Sequence, residues 1–267
     1  MKREKMAVVV MSCDKFCDTW EVFIKLFRKY FPDCVYPVVL STETISCAEN
    51  LPFDLVVYSR KKEWSGRLKD TLEQIGYEYV FLMLDDFWIE RPVNRKLFEE
   101  DVDFLMHNDN IGTIYLDYCN WRFLNEYSET YMEWPENRIY RANTRSGIWR
   151  TDFLKSILDE TEDIWAFERN CLKKSNINNY VVLCRKNKYF KYTFGVTAGK
   201  YERKAVRLAQ REMCKVDLSY RKQRTLWESI VLKIRNWVFD LNPELISWIL
   251  ESLKDKIGGN GELDNEE

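Results

Sequence analysis

The sequence predicts an α/β fold built on a mostly parallel sheet, and three observations carry that expectation. Short continuous apolar runs rich in β-branched residues, such as residues 7–11 (AVVVM) and 77–84 (YEYVFLML), have the composition of strands buried on both faces. These runs alternate with stretches of helical periodicity through the first half of the chain, the pattern of βαβ units. The chain has 267 residues, 46% of them hydrophobic, which is ample for one large core and excludes a disordered or fibrous polypeptide.

The elements follow in order. Residues 7–11 form the first strand. Asp18 stands where a cap would open a helix carrying the stripe Trp20, Phe23, Ile24 and Phe27. Residues 35–40 and 54–58 (DLVVY) read as the second and third strands. Trp64–Ile75 reads as a helix, and residues 77–84 are the strongest buried strand, ending abruptly at Asp85-Asp86. Asn94 caps a helix to about Met106, and residues 111–118 form another strand. The second half is less regular. Short strands are expected at 139–142 and 147–149, then a helix from Thr151 or Asp152 through Leu158. Residues 164–173 are helical, and 180–184 and 189–194 are strands. From Lys200 the chain reads as helical throughout. Leu226–Leu241 carries the apolar stripe Trp227, Ile230, Val231, Ile234 and Val238, and a cap at Asn242-Pro243 opens residues 245–257. Glycines followed by acids mark 258–267 as a disordered tail. Three segments result: an α/β domain over 1–199, a basic and amphipathic helical region over 200–257, and the tail.

Composition narrows the chemistry. With 41 Lys+Arg against 43 Asp+Glu, the net charge of −2 argues against a nucleic-acid-binding protein. That total averages two unlike segments: residues 200–224 hold nine Lys/Arg against three Asp/Glu, and residues 225–267 hold four against nine. The one histidine, His107, excludes His-rich zinc sites and reads as a surface residue at a helix end. The eight cysteines contain no C-x-x-C pair and read as free thiols of a reducing, cytoplasmic compartment. No signal peptide is expected ahead of the first strand, and no apolar run reaches the ~20 residues of a membrane span. Residues 195–201 (GVTAGKY) fall one residue short of a phosphate loop and put Tyr where Ser/Thr must reach a metal. No G-x-G-x-x-G is present, so an ATPase or dehydrogenase is not expected.

Four constellations remain. Asp85 and Asp86 follow a buried strand, where adjacent like charges are costly unless a cation or hydrogen-bond donors meet them. In open α/β sheets this is also the end at which ligands bind. The turn Trp64–Leu68 (WSGRL) offers the Ser65 hydroxyl and Arg67 guanidinium to a phosphate or base; a solvated helix start explains it equally well. Glu168 in IWAFER, flanked by Trp165 and Phe167, would suit a general base if half-buried, although taken alone the motif reads rather as an amphipathic helix with Glu168 facing solvent. Lys200 and Arg203, beside a glycine, can meet a diphosphate, and the rest of the basic run is a solvated face or a surface for anionic lipid.

Taken in order, VVVMSCDK, WSGRL, YVFLMLDDF, GIWRTDFL, IWAFE and GKYERKA resemble a bacterial GT-A-type glycosyltransferase of capsule or lipopolysaccharide O-chain synthesis, over residues 6–224. The resemblance implies a GT-A-like mixed, mostly parallel sheet flanked by helices, with a C-terminal helical appendage. It implies a nucleotide-diphospho-sugar donor held by the first-strand loop with Ser12, Asp14 and Lys15. Asp85-Asp86 stand where the family's D-x-D binds Mn2+ or Mg2+, with Asp86 as the main ligand; the spacer residue is missing here. Glu168 resembles the acidic residue that takes the acceptor's proton in inverting members. Trp149 and Trp165 would be platforms for the sugar rings of a glycan or lipid-linked acceptor, with core packing the competing role. A peripheral contact with the inner membrane and a homo-oligomer are compatible with the apolar stripe. Two rivals stand beside this expectation. A sugar nucleotidyltransferase would need a Gly-rich, basic loop where SCDKFCD stands, and a non-catalytic carbohydrate-binding scaffold would keep only the fold.

Overall fold

The computed structural model of the chain describes residues 2–45, 50–117, 123–174 and 176–241. It divides into a compact unit ending at Gln223 and a second beginning at Arg224. The first unit opens with a helical turn, α1 (Lys2–Lys5), and continues through β1 (Met6–Met11), α2 (Cys17–Tyr30), β2 (Val38–Thr42), β3 (Leu55–Tyr58), α3 (Trp64–Ile75) and β4 (Tyr79–Leu84). Next come β5 (Phe87–Ile89), α4 (Arg95–His107), β6 (Ile111–Tyr115), β7 (Asn125–Glu126), β8 (Tyr131–Glu133) and β9 (Gly147–Arg150). It closes with α5 (Thr151–Ser156), α6 (Ile164–Arg169), β10 (Val181–Arg185), β11 (Tyr192–Phe194), the hairpin strands β12 (Val196–Thr197) and β13 (Lys200–Tyr201), and α7 (Arg203–Arg211).

Nine strands make one sheet in the order β3-β2-β1-β4-β9-β6-β10-β8-β7. The first four are mutually parallel, β9 is antiparallel to both β4 and β6, and β6 and β10 are parallel. The expected mixed, mostly parallel α/β sheet is therefore present. Alternation along the strands sends Val8, Val10, Phe81 and Met83 to one face, packed with Trp20, Phe23 and Phe27 of α2 and Phe98 of α4. Val9, Met11, Val80 and Leu82 face the other way, onto Trp64 and Leu68 of α3, Phe153 of α5 and Phe167 of α6. Full burial of each such large side chain is worth about 1.5–3 kcal/mol.

Several boundaries differ from expectation, each for a visible reason. Residues 139–142 form turns and bends, not a strand. There the Arg141 guanidinium is buried and donates to the carbonyls of Trp134, Ile177 and Tyr180, so the segment is fixed by a side chain rather than a ladder. Asp18 lies in the first turn of α2 and does not cap it; Phe16 holds the cap position without a side-chain bond. Asn94 does cap α4, accepting from the Leu97 amide at 3.2 Å. Residues after 200 are not all helical: β13 pairs with β12, and 212–223 form turns around the single helix α7. Residues 200–223 belong to the unit that holds the sheet, so its boundary lies at 223/224 and not at 199/200.

The second unit contains α8 (Leu226–Leu241), opened by a reciprocal cap in which Thr225 and Glu228 bond each other's backbone and side chain. Leu226, Trp227, Ile230, Val231 and Ile234 are exposed. No helix among the described residues is long and apolar enough to cross a membrane. The expected cap at Asn242-Pro243, the helix 245–257, the tail, Val238, Cys47 and Cys119 lie outside the residues or side chains described. Among the described residues no disulfide joins the other six cysteines, and Cys171, Cys184 and Cys214 are buried.

Candidate functional site

Strands β1, β2, β3, β4 and β6 all end at one edge of the sheet, and β9, running the other way, begins there. That edge gathers the segment after β1 (Ser12 onward), Glu43 after β2, Asp85-Asp86 after β4, Asp117 after β6, and residues 144–146 before β9. It is the crevice-forming edge of an α/β sheet.

Asp85 and Asp86 are both buried, at 5% and 8% exposure. The Asp85 amide reaches the Met11 carbonyl, which continues the β1–β4 pairing one step past the strands. Its Oδ2 accepts a hydrogen bond from Ser12 Oγ, and Thr19 Oγ1 lies 3.1 Å away. Ser12 is itself fixed by Trp20 Nε1 at 2.7 Å. Burial pushes the Asp85 carboxyl up to about 7, against the pull of those hydroxyls. Asp86 is pushed well above the ordinary carboxylate value, first by burial and then by the charge of Asp85; the Val196 amide opposes the shift. Its own carbonyl accepts from the Gly195 amide at 2.6 Å, an approach set by the pairing of β5 with β11. A Cβ at Gly195 would come within 2.8 Å of the Trp88 indole, so only glycine lets the strand pass here. The β12–β13 turn carries Ala198 and Gly199 at φ +47° and +73°, both left-handed, as a two-residue hairpin requires.

The rest of the predicted donor residues divide. Asp14 does not face the crevice as a ligand. Its carboxylate accepts from Thr42 Oγ1 at 2.9 Å, from Thr44 Oγ1 at 2.5 Å, and from the amides of Glu43, Thr44 and Ile45. Burial alone would raise its pKa, but these donors prevail and hold it at about 2. Asp14 is thus a clasp between the first loop and the end of β2. Lys15 is exposed, and its backbone carbonyl is bonded by Arg221. Arg67 is buried, pairs with Glu43 at 3.2 Å and donates to the Lys62 carbonyl, while its Nε meets no partner. Ser65 is wholly buried with an unmatched hydroxyl. Cys13 feels Asp85, Glu43 and Arg67 together, which places these four groups in one neighbourhood. Lys200 stands opposite Thr197 in the hairpin whose Val196 meets Asp86, and Arg203 opens α7. The basic run is not a uniformly solvated face, because Lys204 pairs with Glu90, Arg211 with Glu212 and Arg221 with Asp18.

At the far side of the edge, Glu168 is half-buried on α6. Its Oε1 accepts from both the amide and the hydroxyl of Thr144 at 2.7 Å. Burial raises its pKa despite those bonds. Arg145, the next residue, pairs with Asp117 at 2.7 Å, and Tyr192 of β11 reaches the same carboxylate at 3.3 Å. Tyr192 in turn stacks on Phe87, with centroids 4.4 Å apart, beside Asp86. A continuous chain of contacts therefore joins Glu168 to the carboxylate pair. Trp165 is 64% exposed, but Trp149 is fully buried between Tyr115 and Phe153, so its ring faces are spent on packing and it is not a platform. Thr19, Glu43, Asp117, Arg145 and Arg221 were not foreseen. None sits in a motif: Glu43, Asp117 and Arg145 come to this edge beside the ends of β2 and β6 and the start of β9, Thr19 on α2, and Arg221 from the turns after α7. A separate hollow of about 330 Å³, lined by Tyr77, Tyr79, Arg150 and Lys155, opens at the opposite edge and holds none of these residues.

No group of three or more His, Cys, Asp or Glu able to hold a metal ion occurs among the described residues. Two neighbouring carboxylates suit the other mode, in which a diphosphate and water supply most of a divalent ion's oxygen ligands.

No family model matches the sequence, and no curated protein matches it. Solved structures similar to it include S. aureus TarS 1–349, at 18% identity and TM-score 0.45, covering 70% of this chain and 59% of that one. The same protein in complex with UDP matches at 20% identity and TM-score 0.46, covering 80% and 67%. A cytidylyltransferase from Leptospira borgpetersenii matches at 11% identity and TM-score 0.46, covering 89% and 97%. The chain thus spans about three fifths of TarS 1–349.

Proposed function

We propose that this chain is a glycosyltransferase that moves a sugar from a nucleotide-diphospho-sugar to a glycan or lipid-linked glycan acceptor of a surface polysaccharide. The observation that carries the reading is the buried Asp85-Asp86 pair at the sheet edge, wedged against the first-strand loop and met, among the described residues, by neutral donors. Such a pair resists full ionisation by itself, and a cation is the partner that removes the cost. Asp86, with Asp85, would hold a divalent ion, and that ion would supply charge stabilisation for the departing diphosphate. Arg67, Ser65 and Ser12 serve the nucleotide side, where the buried Arg67 Nε and Ser65 hydroxyl have no acceptor among the described residues. Glu168 takes the proton of the attacking acceptor hydroxyl, which gives inversion at the anomeric carbon. Its raised pKa suits a base that must bind and later release that proton. Trp165 offers an exposed ring to the acceptor.

The test is a thermal-shift panel of UDP-, GDP-, CDP- and CMP-sugars with and without Mn2+, since a ligand that binds only the native state raises the midpoint. One nucleotide-sugar should raise it, more with Mn2+, and Asp86→Asn should abolish the Mn2+ increment. Stabilisation by CTP or UTP alone, with turnover of a free sugar to its nucleotide form, would replace this reading by sugar nucleotidyl transfer. A flat panel would sink both.

A further inference from the structure

Resting on that reading, we propose that Arg221 is a positioning residue of the donor site, which holds the loop from Ser12 to Asp18 in its working geometry. Arg221 and Asp18 form a buried bidentate pair: Nε and Nη2 each donate to a carboxylate oxygen at 2.9 Å, and the two side chains are only 5% and 6% exposed. Nη2 also donates to the Lys15 carbonyl at 2.9 Å, and the guanidinium lies over the Phe16 ring, 4.5 Å from its centroid. Tyr201, which packs on Trp88, donates its hydroxyl to the same Asp18 oxygen at 2.5 Å. Tyr220 adds a bond from its hydroxyl to the Lys15 carbonyl. Three residues of the stretch, Lys15, Phe16 and Asp18, are therefore gripped from a segment about 200 positions away in sequence.

The grip transmits to the site through a short path. The Phe16 carbonyl lies 2.7 Å from the Thr19 hydroxyl, and that hydroxyl faces Asp85 Oδ2 at 3.1 Å. Asp85 is bonded to Ser12, and Ser12 to Trp20 of the same helix. The loop is thus pinned at one end by Asp85 and at the other by Arg221. The 3-10 turn at Asp14–Phe16 has no side-chain cap of its own to hold it. A planar guanidinium matches this job because one group serves a carboxylate, a carbonyl and an aromatic face at once, which an ammonium cannot do. Arg221 touches neither donor nor acceptor in this scheme and acts entirely through the loop.

The experiment compares the full-length wild type with Arg221→Gln, Arg221→Lys and Asp18→Asn. One readout is residue-resolved iodoacetamide labelling: Cys13 lies in the loop and is half-buried, while Cys171 and Cys184 are buried in the core. The other is the dissociation constant for the UDP-, GDP-, CDP- or CMP-sugar that gives the largest wild-type thermal shift. In Arg221→Gln, Cys13 should label several-fold faster with Cys171 and Cys184 unchanged, and donor affinity should weaken roughly 10- to 100-fold. Arg221→Lys should restore part of the affinity, and Asp18→Asn should resemble Arg221→Gln. Labelling that accelerates at all three cysteines would make Arg221 a fold-stabilising residue and overturn the proposal. Unchanged Cys13 labelling with unchanged donor affinity would overturn it too, while leaving the glycosyltransferase reading intact. Absence of any wild-type nucleotide-sugar binding would remove that reading, and a donor-positioning role with it.

Discussion

Two buried acid clusters in this molecule are built in opposite ways. Asp101, fully buried on α4, forms an ion pair with Arg185 of β10 and accepts the hydroxyls of Tyr131 at 2.6 Å and Tyr189 at 2.8 Å. Burial raises its pKa, and the two phenols and the guanidinium pull it back. Among the described residues Asp85 and Asp86 have no such dedicated cation. Hydroxyls and an amide meet them, and the guanidinium whose charge they feel, Arg221, is engaged with Asp18. An acid matched within the chain is scaffold: it ties α4 to the β8–β10 end of the sheet. A pair of acids met by neutral donors among the described residues is what the proposed donor site rests on.

The largest effect should come from breaking the matched cluster. Arg185→Met leaves Asp101 buried without its counter-charge and should cost about 3–5 kcal/mol of unfolding free energy, read as a lower urea midpoint at unchanged slope. If Arg185→Met proves as mild as a substitution at Asp85, the contrast between the two clusters has no energetic content.

Asp14 sharpens the contrast from the other direction, because it too is an acid met by neutral donors, yet its pKa falls to about 2. Five donors from residues 42–45 converge on it, whereas Asp85 has two hydroxyls in a drier place. An unfolded aspartate titrates near 4, so the depressed native value adds stability above that pH, and the gain is lost as the pH falls from about 4 to 2. Asp14→Asn should cost about 2 kcal/mol at pH 7 and little at pH 2. A pH-independent cost would show that the clasp is packing, not charge.

The parallel half of the sheet was readable from the sequence because its strands are continuous apolar runs and Trp64–Ile75 has a clean helical stripe. Asp85-Asp86 were readable for the same reason: they interrupt such a run. What could not be read was anything decided by register. Nothing in residues 147–150 announces that β9 inserts antiparallel between β4 and β6, yet that insertion brings Thr144 and Arg145 to the crevice. Burial decided the two tryptophans, since Trp149 and Trp165 both flank apolar residues in sequence and only one is covered. Arg221 sits in a polar stretch whose charges look alike, and its partner Asp18 looked like a helix cap.

The smallest expected effect on stability belongs to the carboxylate pair, and its sign is the reverse of Asp14. With its native value raised to about 7, Asp85 keeps a proton in the folded state that the unfolded chain releases near pH 4. The native state then binds more protons between those values, so stability falls as the pH rises from about 4 to 7. Asp85→Asn removes the titrating group while keeping an oxygen for Ser12 and Thr19. It should remove the Asp85 share of that slope, with the share of Asp86 remaining, and leave the protein at neutral pH as stable as the wild type or more so, by about 1 kcal/mol at most. Mn2+ should offset the slope in the wild type and do less in the variant, which keeps Asp86. A wild type whose stability rises from pH 4 to 7, with Asp85→Asn clearly destabilised at pH 7, would mean that Asp85 is satisfied by its own chain as Asp101 is.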